Sequence, residues 1–436
     1  MKQRQPDAAM AAQLPHMGLL VYGLNFWPEL TGVGKYSGEM ALWLAGRSHA
    51  LRVVTAPPYY PLWQVPAGYT AARYQQQAWG PGGAVAITRC PLWVPKQLTT
   101  LRRLLHLASF ALSSVPALWR ALRARPDVLM VVVPTLFSAP LALLLARLFG
   151  VPAWLHVQDF EVDAMFDLGM GGRGGWTRRL AMALESAVLT RFDRVSTISP
   201  PMVNRLLAKG VSPARCVLFP NWVDLSAVYP MQGPNALRAR LGLADDDVLV
   251  LYAGNMGEKQ GLDLVIDAAR ALAADPRIRF VLAGSGAARD RLVEDARALG
   301  NVQWLPLQPM ERLNEMLNAA DVHVLPQRAD AADLVMPSKL TGMLASGRAT
   351  LGTAAVGTQL GQVLDEAGCR VDPGDVPALV AALQRLAGNP ALRQSLGQRG
   401  RAYAEQHLAQ DAIMGRLEVQ LATLVASRLK ARRSSP

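Results

Sequence analysis

The sequence predicts an α/β protein of two doubly wound domains that face each other across a ligand-holding cleft. Three observations carry this expectation. Residues 19–25 (LLVYGLN) read as a buried strand that runs into a glycine-bearing loop, Thr31-Gly-Val-Gly-Lys35, and then into the helix YSGEMALWLA. Residues 248–253 (VLVLYA) repeat the pattern into Gly254-Asn-Met-Gly-Glu-Lys-Gln-Gly261 and the helix LDLVIDAARAL. Around them, strands alternate with helices of a length that implies parallel βαβ units. A glycine-rich turn that starts a helix gathers backbone N–H groups and the positive helix end at one point, which suits an anionic phosphate.

The elements follow in order. Residues 1–16 hold only a five-residue apolar run, Ala8–Ala12, and read as a flexible lead-in rather than a signal peptide. After the first helix comes strand 51–55 (LRVVT), then the proline- and aromatic-rich loop APPYYPLWQVPAGY. Residues 99–123 read as one helix, with Leu101, Leu104, Leu105, Ala108, Ala111, Leu112, Val115, Leu118, Trp119 and Leu122 at helical spacing. Residues 128–146 carry no charge over 19 positions, the length that flags a membrane span. Pro134 and Pro140 interrupt them, so a buried strand (128–133), a loop and a helix (139–148) fit better. Strand 153–157, a helix near 176–190, strand 194–199 and a helix opened by Pro200-Pro201 complete a first domain at 17–222. A second domain at 223–400 has strands at 248–253, 278–283, 302–305, 321–325 and 349–353. Residues 401–436 read as a terminal helix with a basic tail.

The net charge of +12 is one-sided. Residues 1–217 hold 22 Lys and Arg against 10 Asp and Glu, whereas the rest of the chain is balanced. Residues 40–126 contain ten basic residues and no acid. That field favours an anionic partner for the first domain: a membrane surface, a lipid-linked phosphate or nucleic acid. Cys90, Cys216 and Cys369 are too few and too scattered for a disulfide framework or a zinc site, which points to a reducing, cytoplasmic setting.

Several motifs compete. Gly32-Val-Gly34 and Gly284-Ser-Gly286 each begin a dinucleotide fingerprint, but Ser37 and Arg289 stand where its third glycine belongs. No acid ends the second strand, so a nicotinamide cofactor is not expected. Asp245-Asp-Asp247 precedes a strand and reads as a solvated turn. A lone histidine is most often structural, but His156 stands near a strand's carboxyl end in a run with Asp159 and two further acids, where ligands of open α/β sheets gather. Lys259, Ser338 and Lys339 are the candidates for an anion site, because Lys339 opens an apolar helix and its charge joins a positive helix end. The loop 57–63 (PPYYPLW) suits stacking on a sugar or lipid as well as rigid packing.

The segments YGLNFWPELTGVGKYSGEMALWLA, VTAPPYYPLWQV, RCPLWVPKQ, HVQDFEVDAM, FPNWVD, GNMGEKQGLD and MPSKLT together resemble the family-4 retaining glycosyltransferases of GT-B fold, over roughly residues 17–370. The likeness is strongest to the colanic-acid branch described as fucosyltransferases. It implies two Rossmann-like domains, an acceptor-side one first and a nucleotide-sugar-binding one second. It also implies that Gly32 and Gly34 form the family's glycine loop and that His156 lies near the donor sugar. The Arg and Lys that hold the donor diphosphate in the family fall on Asn255 and Gln260 here, with Lys259 and Lys339 as the available cations. The family's Glu-x7-Glu pattern is replaced by Leu334 and Gly342.

The resemblance implies transfer of a sugar, such as fucose from GDP-fucose, to a polyprenyl-diphosphate-linked glycan at the inner membrane. A nucleotide sugar, the lipid-linked acceptor and an anionic membrane surface are then the partners, with no nucleic acid, metal or other cofactor. A sugar-nucleotide epimerase of the same fold, and a basic membrane- or nucleic-acid-binding protein without chemistry, remain as alternatives.

Overall fold

The computed structural model describes residues 14–29, 32–97, 99–133, 137–160, 175–328 and 336–433. The chain divides into two compact units, one of residues 1–220 with 413–436 and one of residues 221–412. The stretch 401–436, expected as a single tail, therefore splits. The helix Pro390–Tyr403 belongs to the second unit, and most of the helix Gln410–Arg433 belongs to the first.

The first unit holds strands β1 (Gly18–Gly23), β2 (Ala50–Thr55), β3 (Gln75–Trp79), β4 (Val85–Arg89), β5 (Val128–Val133), β6 (Ala153–Val157), β7 (Arg194–Thr197) and β8 (Cys216–Leu218). They form one sheet in the order β3-β4-β2-β1-β5-β6-β7-β8, parallel except for the antiparallel β3–β4 pair. Every residue of β5 is buried, as a central parallel strand covered on both faces requires. The 128–146 run resolves into β5 and the helix Ala139–Leu148. No helix of the described residues is long and apolar enough to cross a membrane.

Three sequence expectations change in this unit. The glycines of 31–35 are helical, because the first helix spans Gly32–Gly46. The 99–123 helix is two, Thr100–Ser113 and Val115–Arg123. Ser114 ends the first and Pro116 opens the second, since proline has no N–H to continue the ladder. The apolar stripe is also not simply core. The first of these helices buries His106, Phe110 and Ala111, while Leu101, Leu105 and Leu112 are exposed.

The second unit holds β9 (Val248–Ala253), β10 (Ile278–Ala283), β11 (Val302–Leu305), β12 (Val322–Leu325), β13 (Ala349–Thr353) and β14 (Cys369–Val371). Their order is β11-β10-β9-β12-β13-β14, all parallel. Numbered within the unit, that is the 3-2-1-4-5-6 order of a dinucleotide-binding sheet. The strand order reverses between β9 and β12, so ligands are expected beyond the carboxyl ends of those two strands.

The terminal helix is tied to the first unit by a buried polar cluster. Glu418 is 3% exposed, accepts from His49 Nε2 at 2.9 Å and pairs with Arg47 Nη2 at 3.4 Å, while Met17 N–H donates to His49 Nδ1. Truncating one partner of such a pair strands the other in low dielectric. Glu418→Ala is expected to cost about 3 kcal/mol of stability, read as a lower urea midpoint. A midpoint equal to that of the parent would show that the cluster holds nothing.

Candidate functional site

The second unit's glycine turns explain themselves by backbone contact. Gly254 follows β9 at φ +143°, and Gly284 and Gly286 follow β10 at φ +143° and +153°. A Cβ on Gly284 would lie 1.9 Å from the Gly254 carbonyl oxygen, and one on Gly286 would lie 2.6 Å from Met256. The two turns therefore interlock, joined by Met256 N–H to Ser285 O at 2.8 Å and Gly254 N–H to Ala283 O at 2.9 Å. The Gly284-Ser-Gly286 motif thus serves a packing need of its own.

Lys339 lies on this platform. It is the second residue of the helix Ser338–Ala345, whose N-terminus follows Pro337 and has no side-chain cap. Its side chain packs against Gly254, where a Cβ would come within 3.1 Å of Cε and 3.2 Å of Nζ. Nζ donates to Tyr252 Oη at 2.5 Å and to Gln260 Oε1 at 3.0 Å, and it stands 4.2 Å from the centre of the Tyr252 ring. Tyr252 Oη in turn donates to the Asn255 carbonyl at 2.5 Å. Among the described residues the groups bonded to the ammonium, Tyr252 and Gln260, are neutral, and no carboxylate pairs with it. Burial pushes its pKa down from the usual lysine range to about 7. A lysine held this way, beside uncapped helix N–H groups, has the chemistry to receive an anion.

The structure thus brings together Lys339, Gln260, Asn255 and Ser338. Asn255 and Ser338 are exposed at the carboxyl edge. Lys259 falls in the same turn, but its side chain lies outside the described residues. Gly342 packs against Leu317, where a Cβ would meet Cδ1 at 3.3 Å, and Leu334 lies outside the described residues. Tyr252 was missed by sequence reasoning; it looked like one more apolar strand residue.

In the first unit His156 lies in β6, 3% exposed. Its Nδ1 is 2.9 Å from Ser196 Oγ, which also accepts from Trp154 Nε1 at 2.8 Å, and its ring tilts against Phe219 at 4.9 Å. Burial holds its pKa down at about 3, so the imidazole is neutral at physiological pH and can act only as a hydrogen-bonding group or a base of low strength. Asp159, two residues beyond the strand, is exposed; the two acids after it lie outside the described residues.

Gly32 and Gly34 have a different neighbour. A Cβ on Gly34 would lie 2.6 Å from Glu29 Cβ and 2.8 Å from Glu29 Oε2, whereas nothing lies within 4 Å of one on Gly32. Glu29 is 5% exposed, accepts from Tyr59 and Tyr60 N–H, both at 3.0 Å, and from Asn25 Nδ2 at 2.9 Å. Desolvation raises its pKa, and those hydrogen bonds oppose the rise. The chain's own carboxylate therefore occupies the first turn of this helix. Glu29 escaped the sequence reading because only the fold brings it onto Gly34.

Comparison with known proteins gives the class. A glycosyl transferase 4-like domain matches residues 31–222 and a glycosyl transferases group 1 domain matches residues 235–403. The chain is 47% identical over 379 residues to the Escherichia coli (strain K12) protein named as the colanic acid biosynthesis glycosyl transferase WcaI, covering 85% of this chain and 92% of that one. Among solved structures, sucrose-phosphate synthase from Thermosynechococcus elongatus superposes with a TM-score of 0.74 at 19% identity, covering 94% of this chain and 100% of that chain. Anabaena HepE in complex with UDP-glucose gives 0.65 at 14% identity, covering 95% and 100%. Two Rossmann-like units with these domain matches define a GT-B glycosyltransferase. The chain belongs to that family, and it is a glycosyltransferase.

The state of Lys339 sets a pH dependence. Anion binding needs the ammonium form, and the free side chain loses its proton near pH 7, so above that pH binding must first draw a proton from solvent. Affinity for sulfate, whose charge is constant, is expected to fall up to tenfold per pH unit as pH rises above 7. Lys339→Gln should bind weakly and without that slope. A pH-independent wild-type titration would remove Lys339 from the anion site.

Proposed function

We propose that this glycosyltransferase moves a sugar from a nucleoside-diphosphate donor to a lipid-linked oligosaccharide in the assembly of an exopolysaccharide of colanic-acid type. The Lys339 side chain, at the β9/β12 switch point with no carboxylate on it among the described residues, is the observation that carries the reading. Charge grows on the diphosphate as the sugar departs, and a fixed cation with helix N–H groups aimed at that charge stabilises the transition state. Ser338, Asn255, Gln260 and Lys259 form the rest of the donor site. His156, neutral and locked by Ser196, orients the donor sugar by hydrogen bonding, with Asp159 near it in sequence at the strand's end. Gly34 is assigned to the seat of Glu29, while Gly32, with open space where a Cβ would stand, stays with the donor as the family likeness implies. With cations supplied by the protein, the reaction is proposed to need no metal or other cofactor. Retention of anomeric configuration and GDP-fucose as donor follow from the family likeness, which is also reflected in the name of the Escherichia coli relative's pathway.

Donor identity is tested by screening GDP-fucose and other nucleotide sugars for thermal stabilisation and for hydrolysis, since a bound ligand raises the melting temperature. With the best donor, Lys339→Ala should lower turnover about ten- to a thousandfold. His156→Ala should impair transfer much more than nucleoside diphosphate binding. Equal loss of both in the His156 variant would make that residue structural, and a screen in which no nucleotide sugar binds would end the reading.

The acceptor reading places the first unit on an anionic membrane at the cytoplasmic side. What supports it is the helix Thr100–Ser113, whose exposed Leu101, Leu105 and Leu112 accompany exposed Arg102 and Arg103. Lysine or arginine near such a surface contributes about 1 kcal/mol each, and salt screens it. Flotation with anionic vesicles at low salt should therefore retain the protein, and high salt or neutral vesicles should release it. Absence of binding to either vesicle would leave the basic excess without a membrane role.

A further inference from the structure

We propose that Arg328 is the second cation of the diphosphate site, an inference that rests on the donor reading above. Asn255 and Gln260 of the turn after β9 are neutral, and one ammonium does not balance a departing diphosphate. The fold brings a second cation from another strand. Arg328 lies three residues beyond β12, the strand that flanks β9 at the switch point. Its backbone is fixed on one side by a clamp in which Gln327 N–H donates to Thr353 Oγ at 2.7 Å and Thr353 Oγ donates back to Gln327 O at 2.9 Å. On the other side it abuts the glycine turn. Gly261 has φ +65°, and a Cβ there would lie 3.2 Å from Arg328 Cγ and 3.3 Å from its backbone nitrogen. Gly261 adjoins Gln260, whose side-chain oxygen is 3.0 Å from Lys339 Nζ. Arg328 and Lys339 thus approach one turn from two elements.

The charge of Arg328 reaches the start of the following helix. Asp263 has its pKa lowered first by hydrogen bonds from Arg291, and the Arg328 charge adds to the effect. Glu258 and Asp263, the acids of this turn, are both bridged by Arg291, at 3.0 Å and 2.5 Å. The exposed Arg328 side chain starts from a rigid stem, and a planar guanidinium matches phosphate oxygens two at a time.

The test titrates inorganic pyrophosphate into the full chain and into Arg328→Ala, Arg328→Lys, Lys259→Ala and Lys339→Ala variants, at two salt concentrations. The expected result is about tenfold weaker binding in Arg328→Ala with a shallower salt dependence, and partial retention in Arg328→Lys. The ligand-free melting temperature of each variant, read alongside, separates lost binding from lost folding. Parent-like affinity in Arg328→Ala, with loss in Lys339→Ala, overturns the inference and leaves the donor site standing. Loss in Lys259→Ala alone also overturns it, by returning the second charge to that residue. A parent chain that binds neither pyrophosphate nor any nucleoside diphosphate overturns both.

Discussion

The Lys339 side chain, desolvated and with no carboxylate on it among the described residues, is the constraint on which the turn after β9 depends. An isolated charge in a poorly hydrated place is tolerated only where neutral dipoles and an incoming counter-ion offset its lost hydration. Tyr252 and Gln260 provide the dipoles. Gly254 provides the space, since a side chain there would collide with the lysine stem. The closeness of the two glycine turns, which no side chain at Gly284 or Gly286 would permit, fixes Gly254 in turn. The sheet order puts β9 and β12 side by side, so the helix after β12 begins beside the turn after β9. Sequence positions 254 and 339 meet only because of that crossover.

Much of the architecture was legible because parallel strands buried on both faces leave continuous apolar runs. VLMVVV and VLVLYA could hardly be anything else, and both are central strands. The missed strands lack that signature. β3 is QQQAW, an edge strand paired only with β4, and its glutamines read as loop until Gly80–Gly83 is seen as the turn that folds it back. β8 and β14 are three residues each at the sheet edges, too short to show a period. The break at Ser114 was announced by Pro116, but the surrounding leucine period masked it. Within the candidate site, Lys339 was legible from its place at a helix start. Tyr252 and Arg328 were not, because nothing in a linear pattern says which residues a crossover will bring to the same turn.

The two glycine turns that look alike in sequence meet side chains of opposite sign, Glu29 in the first unit and Lys339 in the second. In the first unit the helix start already holds Glu29, hydrogen-bonded by two backbone N–H groups and Asn25. A phosphate brought within 4 Å of that carboxylate would meet a repulsion of about 4 kcal/mol at an effective dielectric constant near 20. Protonating Glu29 would relieve it, and burial does raise its pKa, but the neutral acid would forfeit part of its backbone hydrogen bonding. The carboxylate is better understood as a brace. It ties the loop after β1 to Tyr59 and Tyr60 in the loop after β2, and Gly34 is glycine so that the brace can lie flat on the helix. In the second unit Lys339 reaches the turn after β9 from the helix that follows β12, whose N–H groups have no side-chain cap, while the turn's own acids, Glu258 and Asp263, are held by Arg291. The same strand–turn–helix motif is thus a loop anchor in one unit and, in the donor reading, an anion receptor in the other, where a neighbouring element brings in the cation.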